Sequence, residues 1–425
     1  MPKPQLLIIG GILLVVITII LISFGFLPGR KNPAPEPVTI AFWGVGDDES
    51  AYRAVLADFQ KEYPHITVNY KKLPEGNYEQ TLLNALAENT GPDIFMLHNS
   101  WAQKHEGKVF PLSQVSQFQA KDFQNAFVPM AQEDLIGKNG EILGLPLYID
   151  TLALFYNQDM FSTAGLAQAP KIWDEVLVTS QKLTTANTTG DILKSGITLG
   201  TYTNIDRAFE ILSSLILQSG DPIVDKNERR VQLTRGASDS FAFFSSFADP
   251  LKPQFTWNDR QRPAFVAFGE EIVAMTFGFL GDVPRVQARN PHLTLKVAPF
   301  PQIKQGSSGA IVYGAYYFPT VSKISAHPGE AWQFLLFLSS KPHAKQYLEA
   351  TGKVPARFDL IAEGADNQTK DVFYRQALFA KSWQIPDDRI SRNLFQNAIG
   401  SLLTRAGSAS EIVFRLQEQL HLLMP

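Results

Sequence analysis

From Val38 onward the apolar positions switch between two periods. "VTIAFWG" (38–44) is a β-rich run closed by Gly44, and "SAYRAVLADFQKEYP" (50–64) follows with Ala54, Leu56 and Phe59 at helical spacing, stopped by Pro64. "ITVNYKKL" (66–73) returns to strand, "NYEQTLLNALAEN" (77–89) to helix, and "DIFMLH" (93–98) reads as a short buried strand. Strands separated by helices of this length imply crossover connections, hence an α/β fold with a mainly parallel sheet. Ligands of such sheets lie beyond the carboxyl ends of the strands. That rule singles out Trp43 to Asp48 after the first strand and Asn99 to Trp101 after the third.

"GLPLYIDTLALFYNQDMF" (144–161) breaks the pattern. It is apolar enough for a buried strand, yet it carries Tyr148 and Asp150 where a core would want neither. A strand that crosses between two lobes, with its polar residues facing the cleft between them, accounts for both features. The competing account is that Asp150 caps a neighbouring backbone group.

The N-terminal segment is of a different kind. Leu6 to Leu27 is an uncharged, mostly apolar run of 22 residues, long enough as a helix to cross a bilayer core of roughly 30 Å. "SFGFLPGRKN" after it offers no small-residue cleavage site, so an uncleaved transmembrane anchor is expected rather than a signal peptide. Lys3 on one side opposes Arg30 and Lys31 on the other, and charge leaves the orientation open. "NPAPEP" (32–37), with three prolines, reads as a stiff spacer holding the next domain off the membrane. The expected organisation is a tail (1–5), the anchor (6–27), a Pro-rich linker (28–37) and a folded region from residue 38 on.

Composition mainly excludes. A formal net charge of −3 and the lack of a Lys/Arg run argue against a nucleic-acid partner. With no cysteine there is no disulfide, thiolate metal site, cysteine nucleophile or lipid attachment through an N-terminal Cys. Metalloprotease, nucleophile-elbow, Walker and dinucleotide signatures are all missing, and His98 and His105 have no spacing that would make them converge on a metal. Asp47 with Asp48 and Glu270 with Glu271 are sequence neighbours that point to opposite faces in a strand, and read as turn or cap residues. No cofactor is expected. What remains is a surplus of aromatic residues with polar neighbours at predicted strand ends: Trp43, Trp101, Tyr148, Tyr202, Phe279, Tyr313 and Tyr316. Flat aromatic faces suit ligands with apolar C–H faces and equatorial hydroxyls, as sugars have, although core packing competes for each of them. Trp332, inside "GEAWQFLLFLSS", reads as core.

Taken in order, several segments resemble those of the extracellular solute-binding proteins of ABC importers, in the carbohydrate-binding group that includes maltose-binding protein. They are "VTIAFWG", "FQKEYPHITVNY", "GPDIFMLHNSW", "GEILGLPLYIDTLALFYNQDMFSTAGLAQAPKIWDEVLVTSQKLT", "FGEEIVAMTFGFL", "VAPFP" and "GEAWQFLLFLSSKPHAKQYLEATGKVPARFDL". The resemblance runs from about Val38 to the C-terminus. It implies a two-lobed, periplasmic-binding-protein-like (type II) fold with crossover strands as hinge: 38–147 with 312–365 as the first lobe, 148–311 with 366–425 as the second. "IVYGAYYFPT" (311–320) would be the second crossing. Ligand contacts carried over from the family fall at Trp43, Asp47, Asn99, Trp101, Tyr148, Asp150, Tyr202, Phe279, Tyr313 and Tyr316. One departure concerns Phe279: where sugar binders of the family carry Gly-Pro-Trp after "AM" and a short strand, this chain has "AMTFGFLGD".

The function implied is capture of a carbohydrate, an oligosaccharide above all, for delivery to ABC permease and ATPase subunits, by a membrane-anchored protein outside the cytoplasm. Alternatives that share the fold are a sensor or scaffold subunit and a binder of a polyamine, peptide or metal chelate. A cleft glycoside hydrolase would need two carboxylates about 5 to 10 Å apart, and Asp47 with Asp150 is the pair to test.

Overall fold

In the computed structural model, which describes residues 11–18, 35–225, 230–304 and 309–424, the alternating segment forms the first of two sheets. β1 (Val38–Val45) is its centre, parallel to β2 (Ile66–Leu73) along its whole length and to β3 (Ile94–His98) at Phe42 and Trp43. The strand Tyr317–Val321, from far down the chain, closes the sheet antiparallel to β3. The helices between the strands are Arg53–Glu62 and Tyr78–Ala87. The first buries Val55 and Phe59, while Ala54 is exposed and Leu56 half-buried, so the core stripe is turned by one residue from the expected one. The reason is aromatic packing from the C-terminal half. Phe59 meets the edges of Phe334 and Phe337 at 5.0 and 5.2 Å, and Phe334 also meets Phe42 of β1. Trp332, on the same helix Pro328–Ser339, is fully buried and donates from Nε1 to the Phe110 carbonyl at 2.9 Å, as core.

The chain leaves this lobe through β4 (Asp150–Thr151) and continues as β5 (Ala153–Asn157), the middle strand of the second sheet. Two small hairpins follow, β6 (Thr185–Ala186) with β7 (Ile192–Lys194) and β8 (Ile223–Asp225) with β9 (Arg230–Gln232). β5 is then flanked by β10 (Met275–Gly278) and β11 (Leu295–Pro299), both antiparallel to it. The mainly parallel sheet expected from the strand–helix alternation therefore holds for the first lobe and not for the second. β10 and β11 are parallel to each other and joined through the helix Val283–Arg289. They form a crossover unit split by the insertion of β5, which runs the opposite way. Trp173 anchors this core among Phe243, Phe277 and Phe300, its Nε1 donating to Gln218 at 2.9 Å. The helix Ala208–Gln218 is buried at every position but the last.

The two lobes meet in a third, three-stranded sheet. β12 (Val312–Ala315) pairs antiparallel with β4, Gly314 opposite Thr151 and Ala315 opposite Asp150, and parallel with β14 (Ala380–Lys381). One residue after β12 the chain re-enters the first sheet as β13, the Tyr317–Val321 strand. The crossings near 150 and 315 thus run side by side. Gly314 is needed there because a Cβ would approach Met130 Sδ to 2.7 Å and the Ala380 Cβ to 3.1 Å.

Of the expected anchor Leu6–Leu27, residues 11–18 are described; they are helical, with large apolar side chains such as Leu14 exposed. The rest of the anchor, and the linker up to residue 34, lie outside the described residues. Among the described residues no helix is long and apolar enough to cross a membrane.

Replacing Gly314 with valine is expected to destabilise the fold by about 1–3 kcal/mol through overpacking. Denaturant melts of the ligand-free protein read this directly, and an unchanged midpoint would show that the crossing strands have room to spare.

Candidate functional site

Between the lobes lies a cleft of about 690 Å³, open at the carboxyl ends of β1 and β3. On the first-lobe wall, Asp47 follows β1. Its carboxylate is fully engaged, accepting from the Tyr347 hydroxyl at 2.7 Å and from Lys353 Nζ at 2.7 and 2.8 Å. The same ammonium lies 3.9 Å from the centre of the Tyr148 ring. Trp101 sits in the turn after β3, with His98 at 5.6 Å and Tyr317 edge-on at 6.0 Å. It is only 9% exposed, and its Nε1 has no hydrogen-bond partner among the described residues.

The second-lobe wall is built from ion pairs. Arg207, preceding the helix Ala208–Gln218, makes a two-pronged contact with Asp282 at 2.8 and 2.6 Å, and Arg285 reaches the same carboxylate at 3.1 Å. Glu210, in the first turn of that helix, meets Arg392 at 2.9 Å, and Arg392 also holds Asp388 at 3.0 Å. The Arg207 guanidinium lies 4.8 Å from the Phe279 ring centre. Phe279, where the family carries tryptophan, thus has a face already covered by a cation.

Asp150 satisfies both accounts of its place in the strand. It lines the cleft, and its Oδ1 accepts from the Thr151 amide at 2.9 Å and the Leu280 amide at 3.1 Å, joining the hinge strand to the turn that opens the helix Val283–Arg289. Burial pushes its carboxyl up to about 7, against the pull of the Leu280 N–H and with a further push from Asp282. A second opening of about 520 Å³ shares Tyr148, Asp150, Gly281 and Lys353 with the main cleft, so the hinge is reached from two sides. His98, in the same lining, is held down to about 4 by burial and then by Arg392.

Of the ten expected contacts, Asp47, Trp101, Tyr148, Asp150, Phe279, Tyr313 and Tyr316 come together in the lining. Trp43, Asn99 and Tyr202 do not. β1 runs past Gly44 to Val45, so Trp43 lies within the strand, half-buried beneath Lys71, and the lining starts at Gly46. Asn99 is a buried bolt: its side chain donates to Asp134 at 3.0 Å and accepts from the Tyr316 amide at 3.2 Å, fastening β3 to the second crossing. Tyr202 is half-buried and outside the lining; burial first pushes its hydroxyl up, and the charges of Arg392 and Glu210 act on it in opposite directions. Tyr313 and Tyr316 form the floor, both almost fully buried, and the Tyr316 hydroxyl donates to Asp134 at 3.2 Å.

The charged residues of the second wall were missed in the sequence reading, though two carried a signal. Arg207 and Glu210 are three apart at the head of "RAFEILSSLILQ", an otherwise apolar helix, and charges so placed need buried partners. Lys353, Asp388 and Arg392 carry no such mark. For a hydrolase, Asp47 is unsuited as either acid or base because both of its oxygens are taken by Lys353 and Tyr347.

Two α/β lobes joined by crossing strands, with a polar and aromatic cleft at the crossing, define a hinge-type binding protein. The chain belongs to the bacterial extracellular solute-binding protein family, whose model matches residues 43–345. It is 24% identical over 362 residues to the arabinooligosaccharide-binding protein of Bacillus subtilis, covering 82% of this chain and 80% of that protein. It is also 24% identical over 396 residues to the sn-glycerol-3-phosphate-binding periplasmic protein of Salmonella typhimurium, covering 86% and 88%. The sugar-binding protein MalE of Xanthomonas citri has the same fold, with a TM-score of 0.76 at 20% identity over 91% of this chain and 97% of that one. The protein is therefore an extracytoplasmic solute-binding protein of the ABC-transporter type, not an enzyme.

A carboxyl whose folded value is raised contributes stability that is present below the unfolded value and is lost as pH rises through the folded one. For Asp150 that window runs from about 4 to about 7. At about 1.4 kcal/mol per pH unit the loss reaches roughly 4 kcal/mol at most. Melts of the ligand-free protein across this window should show the decline in wild type and a much flatter profile in Asp150→Asn. Because His98 acts in the opposite sense and is present in both proteins, the difference isolates Asp150; parallel profiles would show that Asp150 is ionised throughout.

Proposed function

We propose that the protein captures a carbohydrate, an oligosaccharide above all, between its lobes and presents it to the permease and ATPase subunits of an ABC importer. The observation that carries this reading is the pairing of polar side chains with aromatic faces in the lining of one cleft. Trp101 and Tyr317 supply the faces, and the carboxyl groups of Glu75 and Asp150, which line the same cleft, supply acceptors for sugar hydroxyls. The contacts proposed are Asp47, Trp101, Tyr148, Asp150 and Phe279, with Tyr313 and Tyr316 as the floor. The moving bodies are 38–147 with 312–365 and 148–311 with 366–425. Relatives of equal identity are named for an arabino-oligosaccharide and for a glycerol phosphate. The second of these fits poorly here, since the cleft lining carries more carboxylates than cations.

Ligand contacts with both lobes favour the closed form by the difference in affinity between the two forms. Moving the equilibrium from mostly open to mostly closed takes roughly 5.5 kcal/mol, within reach of a few hydrogen bonds to charged groups at about 1.5–3 kcal/mol each. The segment Leu6–Leu27 is proposed as the anchor that keeps the binding domain at the extracytoplasmic face of the cell membrane, and the exposed apolar side chains of residues 11–18 support this. A sensor or scaffold role would use the same closure.

The test is a thermal-shift screen against mono- and oligosaccharides, where a ligand at 100 times its Kd adds about 2.7 kcal/mol of stability. Trp101→Ala is expected to abolish the shift while moving the ligand-free melting point by only a few degrees. Absence of any shift across the sugar panel, or unfolding of the ligand-free variant, counts against this site.

A further inference from the structure

The charges lining the cleft do not balance. Its four cations face four carboxylates unevenly: Lys353 meets Asp47, Arg207 and Arg285 share Asp282, and Glu210 and Asp388 share Arg392, which leaves a carboxylate in excess on the Glu210 side. Glu75 and Asp150 also line it; among the described residues neither joins the ion pairs of the cleft, and Asp150 is held by backbone amides instead. His98, held down to about 4, adds no positive charge at neutral pH. The lining therefore carries two formal negative charges in excess, one even when Asp150 holds a proton.

Three further features of the same lining bear on where a cation would sit. Glu210 is 3% exposed, and its Oε2, unlike Oε1, has no hydrogen-bond partner among the described residues; its charge, like that of Arg392, acts on His98, whose ring lies 5.6 Å from Trp101 and 5.1 Å from Tyr317. Glu75 stands at the rim of the opposite lobe, where burial first and then the Glu75 charge push the Tyr317 hydroxyl up. Cations cover the rings of Tyr148 and Phe279, whereas the Trp101–Tyr317 corner, two rings at 85°, holds none among the described residues. Closing an empty cleft would bring the surplus carboxylates of the two lobes together in a drier medium, where like charges repel more strongly. A ligand cation reverses the sign of that term, and an aromatic corner adds to its attraction.

We propose that the solute is an amino sugar whose protonated amine sits at the Trp101–Tyr317 corner, between Glu75 of one lobe and Glu210 of the other. This rests on the carbohydrate reading and adds the charge. The cation is what makes closure favourable, and the sugar ring supplies the apolar face for the aromatic wall.

Calorimetry on the full chain with three trisaccharides of one linkage separates the terms: the β-1,4 trimer of glucosamine, its N-acetylated form, and the glucose trimer. The glucosamine trimer is expected to bind at least about tenfold more tightly than either neutral sugar, with an advantage that shrinks from about 20 mM to about 500 mM salt. Glu210→Gln should erase most of that advantage. So should Glu75→Gln, an exposed position where folding is not at stake. Neutral sugars binding as tightly as the amine overturn this inference and leave the carbohydrate reading intact. Putrescine binding as tightly as the glucosamine trimer keeps the need for a cation but removes the sugar. Binding of none of these overturns the inference.

Discussion

Two pairs of backbone neighbours, Gly314 with Thr151 and Ala315 with Asp150, hold the molecule's halves in register. Such a short ladder adds little stability of its own; its importance is geometric. Two strands that cross between lobes at the same place restrict relative motion to rotation about them. Every side chain pointing off that axis into the gap then faces water or ligand rather than core. The missing side chain at Gly314, pressed between Met130 and Ala380, keeps the crossing thin enough for both strands to pass.

The two walls solve the problem of polar burial differently. The first lobe uses aromatic rings and one shared ion pair, with Lys353 serving Asp47 and the Tyr148 face together. The second uses arginines held in forked contacts at the head of a buried helix, where Asp282 is 2% exposed and Glu210 3%. A buried charge is tolerated only when paired, so the Arg207–Asp282 and Glu210–Arg392 pairs set the shape of their wall as much as its chemistry. They also use up the positive charge of the cleft, and what is left to attract a ligand is negative. Asp150 stands between these regimes: it belongs to the hinge by its backbone and to the second wall by its hydrogen bond to Leu280. A change in its protonation is therefore felt at the joint itself.

The sequence by itself determined the strand and helix order of the first lobe, the core role of Trp332, the oddity of Asp150 inside an apolar strand, and the family. These are local or nearly local facts: period, breakers, and a polar residue out of place. Only the tertiary structure decided that β5 splits a crossover unit and makes the second sheet antiparallel, that Trp43 stays within its strand and Asn99 fastens the second crossing, and that a wall of ion pairs faces the aromatic one. Lys353 meets Asp47 across 306 residues and Arg392 meets Glu210 across 182. No periodicity records such a partnership, because the desolvation that makes each charge seek the other exists only once the lobes have folded around them.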